Sequence, residues 1–572
     1  MPINAQSRSR DPLLITLWAK WWCTGLVLFL AASIVVAPFF WLGSRVGSDF
    51  YFHSASWREA AGQWKEGIWY PRWAAGANWG FGEPRFIFYP PFSWMLGAAL
   101  GSVLAWRVVP AVFVWLAVLL AGGCMFQLAR QYLEPPEATL AAVLYAANPY
   151  FLLMIYRRST YAELLAGAIF PLVVLSATRL REGDAKTVAR LALAFAAVWL
   201  TNAPAAVIST YALVFILITL AVVRKEATPA YLGVASMVLG FLLAAFYIVP
   251  ALFEQRWVNI MAVLDPMLRP TNNFLFRPRN TPFAHLNTII STLAFGEISV
   301  LAAAVVLSRR GRRFWAEMWW ALVVLGLAST VLMFPVSAAA WRYLPELQFV
   351  QFPWRWLTVL NLALALLVVR LTQRSQVRIL CWLLIGVELL VLPGTTLFRV
   401  RQRPDLATGI ESVFEDGKEY RGALEYVPRG LKRQLFSPSI PEVAFDDAGG
   451  ASVQEIAASV QVVDDREGRI QIRRWGAESR SIGVETRRPS VLRLRIADYP
   501  AWRVRVNGAV VQQRLQEGSD EMLIDLPSGH SEVQINFIRT ADRTISGAIS
   551  ATTALVLFVF MLVAKPNPRV SN

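Results

Sequence analysis

The stretch Phe86-Ile-Phe-Tyr-Pro-Pro-Phe-Ser-Trp-Met-Leu-Gly-Ala-Ala-Leu-Gly-Ser-Val-Leu-Ala105 admits two readings, and the fold depends on which is taken. By length it could cross a bilayer. As a full crossing it would put the basic segments Arg179–Arg190, Arg224-Lys225 and Arg309–Arg313 on alternating sides of the membrane. As an element that dips in and returns, it leaves all of them on the inner side, as the positive-inside rule requires. The Tyr89-Pro90-Pro91 break near its start also favours a half-inserted element. Such an element is tolerated only where protein or a water-filled cavity surrounds it. The second reading therefore predicts a polar cavity on the outer face.

The totals agree with a membrane protein that carries one soluble portion. The 572 residues are 56% hydrophobic and 16% charged, with 23 Trp and a mean hydropathy of +0.45. A net charge of +16 suggests nucleic acid. That partner is rejected, because the Lys and Arg lie mainly in short loops between apolar runs and in the soluble portion. In the loops they act as topology signals and contacts to anionic membrane lipids. Cys23, Cys124 and Cys381 all fall within predicted spans, so no disulfide framework or zinc spacing is available.

The N-terminal run Cys23–Leu42 follows Arg8, Arg10 and Lys20 and lacks a small-residue cleavage site, which predicts an uncleaved first helix with its N-terminus inside. Further crossings are expected at Val108–Leu128, Ala138–Met154, Ala162–Thr178, Val188–Leu200, Ala205–Val223, Tyr231–Leu252, Asn287–Leu307, Trp319–Phe334, Trp356–Val369 and Ile379–Leu397. A last crossing, Ile545–Ala564, leads to a cytoplasmic Lys565–Arg569 tail. The fold expected is thus a polytopic α-helical membrane protein of about twelve spans with one re-entrant or juxtamembrane segment. Three parts follow: a transmembrane domain at 1–397, an outer β-sandwich at 398–544, and the final helix with its tail at 545–572. Strands are expected because Leu492, Leu494 and Ile496 alternate with arginines, as do Trp502, Val504 and Val506. Asn507-Gly508 supplies a hairpin turn, and Val533, Ile535 and Phe537 form a further alternating run.

The residues able to do chemistry cluster in the outer loops. Asp49 stands just beyond the first helix, with His53 four residues on; if that turn is helical the two share a face. The plain alternative is an interfacial carboxylate within an aromatic belt. The loop from Gly67 to Pro91 is rich in Gly and aromatic residues. Its candidates for substrate are Arg72, Asn78, Glu83, Arg85 and Tyr89, with the arginines suited to a phosphate. The alternative is a rigid membrane-surface loop. Glu163 follows Arg157-Arg158 at the outer start of a crossing, where an acid needs a partner or a polar cavity; a salt bridge to Arg157 or Arg158 would suffice. Asn202-Ala-Pro204 separates two crossings at the same level and is either part of the site or a helical hairpin turn. In Phe352-Pro-Trp354-Arg355, a proline at a helix start can aim Arg355 at an anion, or Trp354 and Arg355 can serve as an interface anchor. His53 and His285 could meet in the cavity around a divalent metal with Asp49 or Glu163, although the spacing matches no metal motif.

These strings carry a resemblance. Asp49…His53, Tyr70-Pro-Arg-Trp73, Asn78-Trp-Gly-Phe-Gly-Glu-Pro84, Phe88-Tyr-Pro-Pro91, Ala162-Glu163-Leu164 and Phe352-Pro-Trp-Arg355 resemble bacterial multi-spanning proteins labelled 6-pyruvoyl-tetrahydropterin synthase-related. The segment Tyr499-Pro-Ala-Trp-Arg-Val-Arg-Val-Asn507-Gly508 is similar to the outer domain of YfhO-like membrane proteins. Both groups resemble the GT-C superfamily of membrane glycosyltransferases. The resemblance implies a catalytic base or metal ligand at Asp49; Glu163 or His53 would assist it, and Arg157, Arg158 and Asn202 are further candidates for substrate contact. It also implies a polyprenyl-phosphate-linked sugar as donor, and a glycan, lipid or protein as acceptor. The site and the β-domain would face the periplasm from the bacterial inner membrane. The superfamily's usual paired-acid motif is not evident near Asp49. The competing expectation is a lipid-linked glycan transporter or a non-catalytic partner in envelope assembly.

Overall fold

The computed structural model describes residues 21–42, 47–181, 185–277, 283–309, 315–371, 379, 381, 383, 386, 419–432, 434, 436–437, 439–446, 452–457, 460–465, 468–515 and 520–563. The basic segments before residue 21 and at 310–313, and the 565–569 tail, lie outside these residues. So does most of the crossing expected over Ile379–Leu397.

The helices of ten residues or more are α1 (Trp21–Val36), α2 (Phe50–Lys65), α3 (Pro91–Val103), α4 (Val109–Ala129), α5 (Pro135–Ala146), α6 (Tyr161–Thr178), α7 (Ala185–Trp199), α8 (Ala203–Arg224), α9 (Thr228–Leu243), α10 (Ala245–Glu254), α11 (Ala284–Ser308), α12 (Ala316–Met333), α13 (Leu357–Leu371) and α14 (Ala541–Val563). Among the described residues eight helices are long and apolar enough to cross a membrane, or nine if α9 and α10 form one broken span. That pair bends by 73° where an unbroken crossing was expected. The cause is local: Ser550 of α14 accepts from the Phe246 amide and donates to the Leu242 carbonyl, both at 2.9 Å, so a side chain enters the helical ladder.

The deciding stretch does not cross. Its helix, α3, has 13 residues with Pro91 in its first turn, about 20 Å of helix against a hydrocarbon core of about 30 Å. Both of its ends lie on the face that carries α2. The Phe92 amide donates to the Leu200 carbonyl at the end of α7 (2.8 Å). Near the other end, Trp106 is stacked under the Arg58 guanidinium of α2. In between, a Cβ on Gly97 would come within 2.2 Å of the Trp57 ring, so glycine is what lets α3 lie flush against α2. On the opposite face Arg224 ties three elements. It bonds the carbonyls of Thr178 and Leu180 and pairs with Glu317 at 2.7 Å.

Among the described residues eleven strands, including β1 (Val443–Phe445), β2 (Ser452–Ala457), β3 (Val460–Asp465) and β9 (Arg514–Leu515), form two antiparallel sheets in the orders β1-β6-β10-β9 and β2-β3-β4-β5-β11-β7-β8. The strands used below are β4 (Gly468–Trp475), β5 (Ser479–Thr486), β6 (Ser490–Leu494), β7 (Trp502–Val506), β8 (Ala509–Val511), β10 (Met522–Leu526) and β11 (Gly529–Phe537). Leu492, Leu494, Val504, Val533 and Ile535 are buried between the sheets, as the alternation predicts. The β7–β8 turn is Asn507-Gly508, with φ of 52° and 83°, the positive values that a tight hairpin demands.

One buried knot joins the sandwich to the helices. Arg543 in the first turn of α14 pairs twice with Glu254 at 2.7 Å. The Tyr499 hydroxyl donates to the same carboxylate at 2.6 Å. Burying a carboxylate requires such partners. Tyr499→Phe removes one hydrogen bond to a charged group and is expected to cost about 1.5–3 kcal/mol, read as a lower Tm of the detergent-solubilised protein.

Candidate functional site

The site begins with a close backbone approach. A Cβ on Gly47 would sit 2.2 Å from the Arg158 carbonyl carbon, so the turn before α2 rests directly on the chain at Arg158-Ser159. The Asp49 amide donates to the Arg158 carbonyl at 2.9 Å, and His53 N to the Asp49 carbonyl at 3.2 Å. The turn at Asp49–His53, expected to place the two residues on one face if helical, is the N-cap and first turn of the 16-residue helix α2. Asp49 and His53 are thereby one turn apart. Their environments nevertheless diverge.

Asp49 stays within reach of solvent: its carboxylate is 39% exposed and faces the Arg158 guanidinium at 3.9 Å, with the Ser48 hydroxyl donating to it at 2.7 Å. His53 points inward, 3% exposed, its ring among those of Tyr161, Trp57 and Tyr89 at 5.4–6.1 Å. Burial pushes its imidazole down to about 4, with the Asp49 charge opposing, so it stays neutral at neutral pH.

Arg158 ends a π-helical turn, Met154–Arg158, and the chain reverses through Ser159 in the left-handed region at φ 55°. That reversal sets Glu163, in the first turn of α6, beside Arg158 at 3.5 Å. Glu163 is fully engaged. It also accepts from the Tyr150 hydroxyl at 2.6 Å and from Arg355 Nε at 3.1 Å. Arg355 Nη1 donates to the Val350 carbonyl at 2.7 Å. The Phe352 ring lies under both guanidiniums, at 5.1 and 5.2 Å, and Trp354 stacks on that ring at 4.7 Å. The result is a row Asp49–Arg158–Glu163–Arg355 with its exposed end at Asp49. Behind it a cavity of about 20 Å³, lined by Glu163, Arg355, Ser209 and Thr358, has room for one water.

The Gly67–Pro91 loop has a different character from the one expected. Asn78, Glu83 and Arg85 are 0–1% exposed and bond one another. Arg85 Nε reaches Glu83 at 2.7 Å, and Asn78 Nδ2 reaches the other Glu83 oxygen at 3.1 Å. A later segment is threaded against them. Tyr420 pairs with Ala77, its hydroxyl donates to Glu59 at 3.0 Å, and the Ala423 amide donates to Glu83 at 2.9 Å. These groups spend their polarity on one another. Arg72 is drawn to the sandwich instead of the row: its amide donates to Glu478 at 2.6 Å and its guanidinium lies 3.9 Å from the Tyr70 ring centre. Tyr89 is half-buried between Phe52 and His53. Asn202 caps α8 by accepting from the Ala205 amide at 3.0 Å, and Arg157 is half-buried beside Arg158.

The expected metal cluster does not assemble. Among the described residues no three His, Cys, Asp or Glu side chains are placed to hold an ion. His285 lines another cavity, of about 600 Å³, with Asn148, Thr292, Glu297 and Asn361, so it does not converge with His53. Asp49 faces a guanidinium, which opposes a second cation there. These residues do not fit a divalent-metal site. Tyr150, Glu59 and Tyr420 were not singled out in the sequence. Tyr150 is 13 residues from Glu163 and Tyr420 is 361 from Glu59, so no local spacing announces either contact.

Spans, a helical layer on one face, a β-sandwich above it and a charged row at the helix ends define a multi-pass membrane protein with a surface-reachable carboxylate at Asp49. The chain belongs to the family described as 6-pyruvoyl-tetrahydropterin synthase related domain, membrane protein, whose sequence pattern matches residues 86–400. Curated protein sequences give no match. Among solved structures the chain is similar to ArnT from Cupriavidus metallidurans bound to undecaprenyl phosphate, with 14% identity and a TM-score of 0.42, over 64% of this chain and 61% of that one. The same protein in its apo state aligns at 16% identity and a TM-score of 0.37, over 60% of this chain and 58% of that one. The chain thus spans under two-thirds of either neighbour's length.

Proposed function

We propose that this protein is a GT-C-type membrane glycosyltransferase that moves a sugar from a polyprenyl-phosphate donor to an acceptor hydroxyl. In this reading the α2 face is the periplasmic face of the bacterial inner membrane, and residues 398–544 form the periplasmic domain between a transmembrane domain and a final helix. The observation that carries it is the half-exposed Asp49 carboxylate 3.9 Å from Arg158, in a row where Glu163 is already matched by two guanidiniums. Asp49 removes the acceptor proton as the acceptor oxygen attacks the anomeric carbon. The lipid phosphate leaves with the electron pair of the broken bond, its charge met by Arg158 and Arg355. Glu163 orients the two arginines and does not itself exchange a proton. A transporter of the inverted-repeat kind needs corresponding broken helices in two halves; the described residues contain one bent pair, α9–α10.

The test is purified full-length protein in liposomes, offered polyprenyl-phosphate sugars and a panel of membrane acceptors, with release of polyprenyl phosphate followed by mass spectrometry. Absence of release with every donor would leave the non-catalytic reading in its place. Arg355→Lys should weaken donor use by about tenfold, because an ammonium cannot reach the Glu163 carboxylate, the Val350 carbonyl and a phosphate together. Donor KM is the quantity to compare. A cysteine introduced at Gly508, in the exposed β7–β8 turn, should react with an impermeant thiol reagent in spheroplasts. Protection of that position would reverse the orientation.

A further inference from the structure

The solvent-facing side of the seven-stranded sheet is not uniformly charged. The registers Arg503↔Asn536, Arg505↔Gln534 and Arg474↔Ser481 place these three arginines toward the end of the sheet from which β11 runs into α14. The acids of the same side, Glu485 and Glu532, lie toward the other end, opposite His530 and Asn507. Arg473, which lies over Gly483, pairs with Glu532 at 3.6 Å. Arg539 follows β11 and is exposed. Among the described residues no acid pairs with Arg474, Arg503, Arg505 or Arg539.

The height of this end relative to the bilayer follows from its neighbours. The β4–β5 turn rests on the end of α2: the Ala477 amide donates to Glu66 at 3.1 Å, and Glu478 accepts from the Arg72 amide at 2.6 Å. Between those two contacts lies Trp69, 75% exposed, and an exposed tryptophan belongs at the headgroup level. The lipid-facing part of α14 begins at Ile545, 62% exposed, eight residues after the last residue of β11.

We propose that Arg474, Arg503, Arg505 and Arg539 form a basic ledge that rests on the phosphate headgroups of anionic lipids in the leaflet that α14 enters. The ledge is separate from the Asp49–Arg355 row and does not depend on what that row catalyses. Each arginine near an anionic surface adds to its attraction for the membrane. Four on one rim hold the sandwich down against the membrane beside its Glu254–Arg543 knot, where Arg539 Nη2 donates to the Arg543 carbonyl at 3.3 Å.

The experiment uses full-length protein in nanodiscs of phosphatidylcholine with about a third phosphatidylglycerol carrying a photoactivatable headgroup. After illumination, cross-linked peptides are mapped by mass spectrometry. Cross-links are expected on the peptides spanning residues 473–475 and 502–506, and they should fall by at least about tenfold in the Arg474→Gln/Arg503→Gln/Arg505→Gln variant. The Arg487→Gln/Arg488→Gln variant, altered in the turn at the far end of β5, should cross-link like the wild type. Equal cross-linking in the triple variant overturns the ledge. Loss of the cross-links when inorganic phosphate replaces chloride at matched ionic strength overturns the lipid assignment in favour of a free-anion site.

Discussion

Asp49→Asn protein should insert, accumulate to wild-type membrane levels and transfer almost no sugar, with a loss of about 10²–10⁴-fold. Asparagine keeps the shape of the side chain, and the backbone bond from residue 49 to the Arg158 carbonyl does not depend on the carboxylate. What disappears is the charge that faces Arg158 and the basicity that, in the proposed mechanism, takes the acceptor proton. Because the side chain is 39% exposed, its ion pair contributes little to stability, so lost transfer would report on chemistry and not on folding. The comparison is initial rate per unit of membrane-inserted protein. Transfer within a factor of a few of wild type would remove Asp49 from the mechanism and favour the non-catalytic reading.

Glu163→Gln should fail for a different reason. The carboxylate is 4% exposed and serves two buried guanidiniums as well as the Tyr150 hydroxyl. Without its charge, Arg158 and Arg355 remain buried with no shared counter-charge, a loss on the order of 3–5 kcal/mol. A lower Tm should therefore accompany weakened donor use. Glu163→Asp, which restores the charge on a shorter stem, should recover most of the stability and less of the activity. A Glu163→Gln protein as stable as wild type would mean that the two arginines are held by something else.

The sequence carried the features that depend on neighbours along the chain. Phe86–Ala105 could be assigned because the sign and place of flanking charges constrain any full crossing, and the 13-residue α3 agrees with that reading. The strands around Trp502 and Leu492 were visible in their alternation, and Asn507-Gly508 in its turn chemistry. Glu163 was flagged because a carboxylate near membrane depth demands partners, and Arg158 is one of them. What escaped was contact at long range. Arg543 meets Glu254 across 289 residues, and nothing in either segment marks the other. The partners of the Gly67–Pro91 loop were hidden for a related reason. A run dense in Arg, Glu and Asn looks open to a substrate, yet once folded Glu83 bonds both Arg85 and Asn78, and the segment that covers them comes from Tyr420, far along the chain. The 73° bend at Ala244 was invisible because its cause, Ser550, sits on the last helix.

The threading of Tyr420 between Gly76 and Trp79 orders events in time. A nascent chain has made Glu59 long before it makes Tyr420, 361 residues later. At ordinary elongation rates the interval is about 20–70 s. During that interval the loop bearing Asn78, Glu83 and Arg85 has left the ribosome without the segment that closes it. The last helix and the sandwich are therefore not appended to a finished helical unit. Maturation of the early loop waits on late synthesis, and a chain stalled before residue 420 presents an open, charge-lined loop by which an unfinished molecule differs from a finished one.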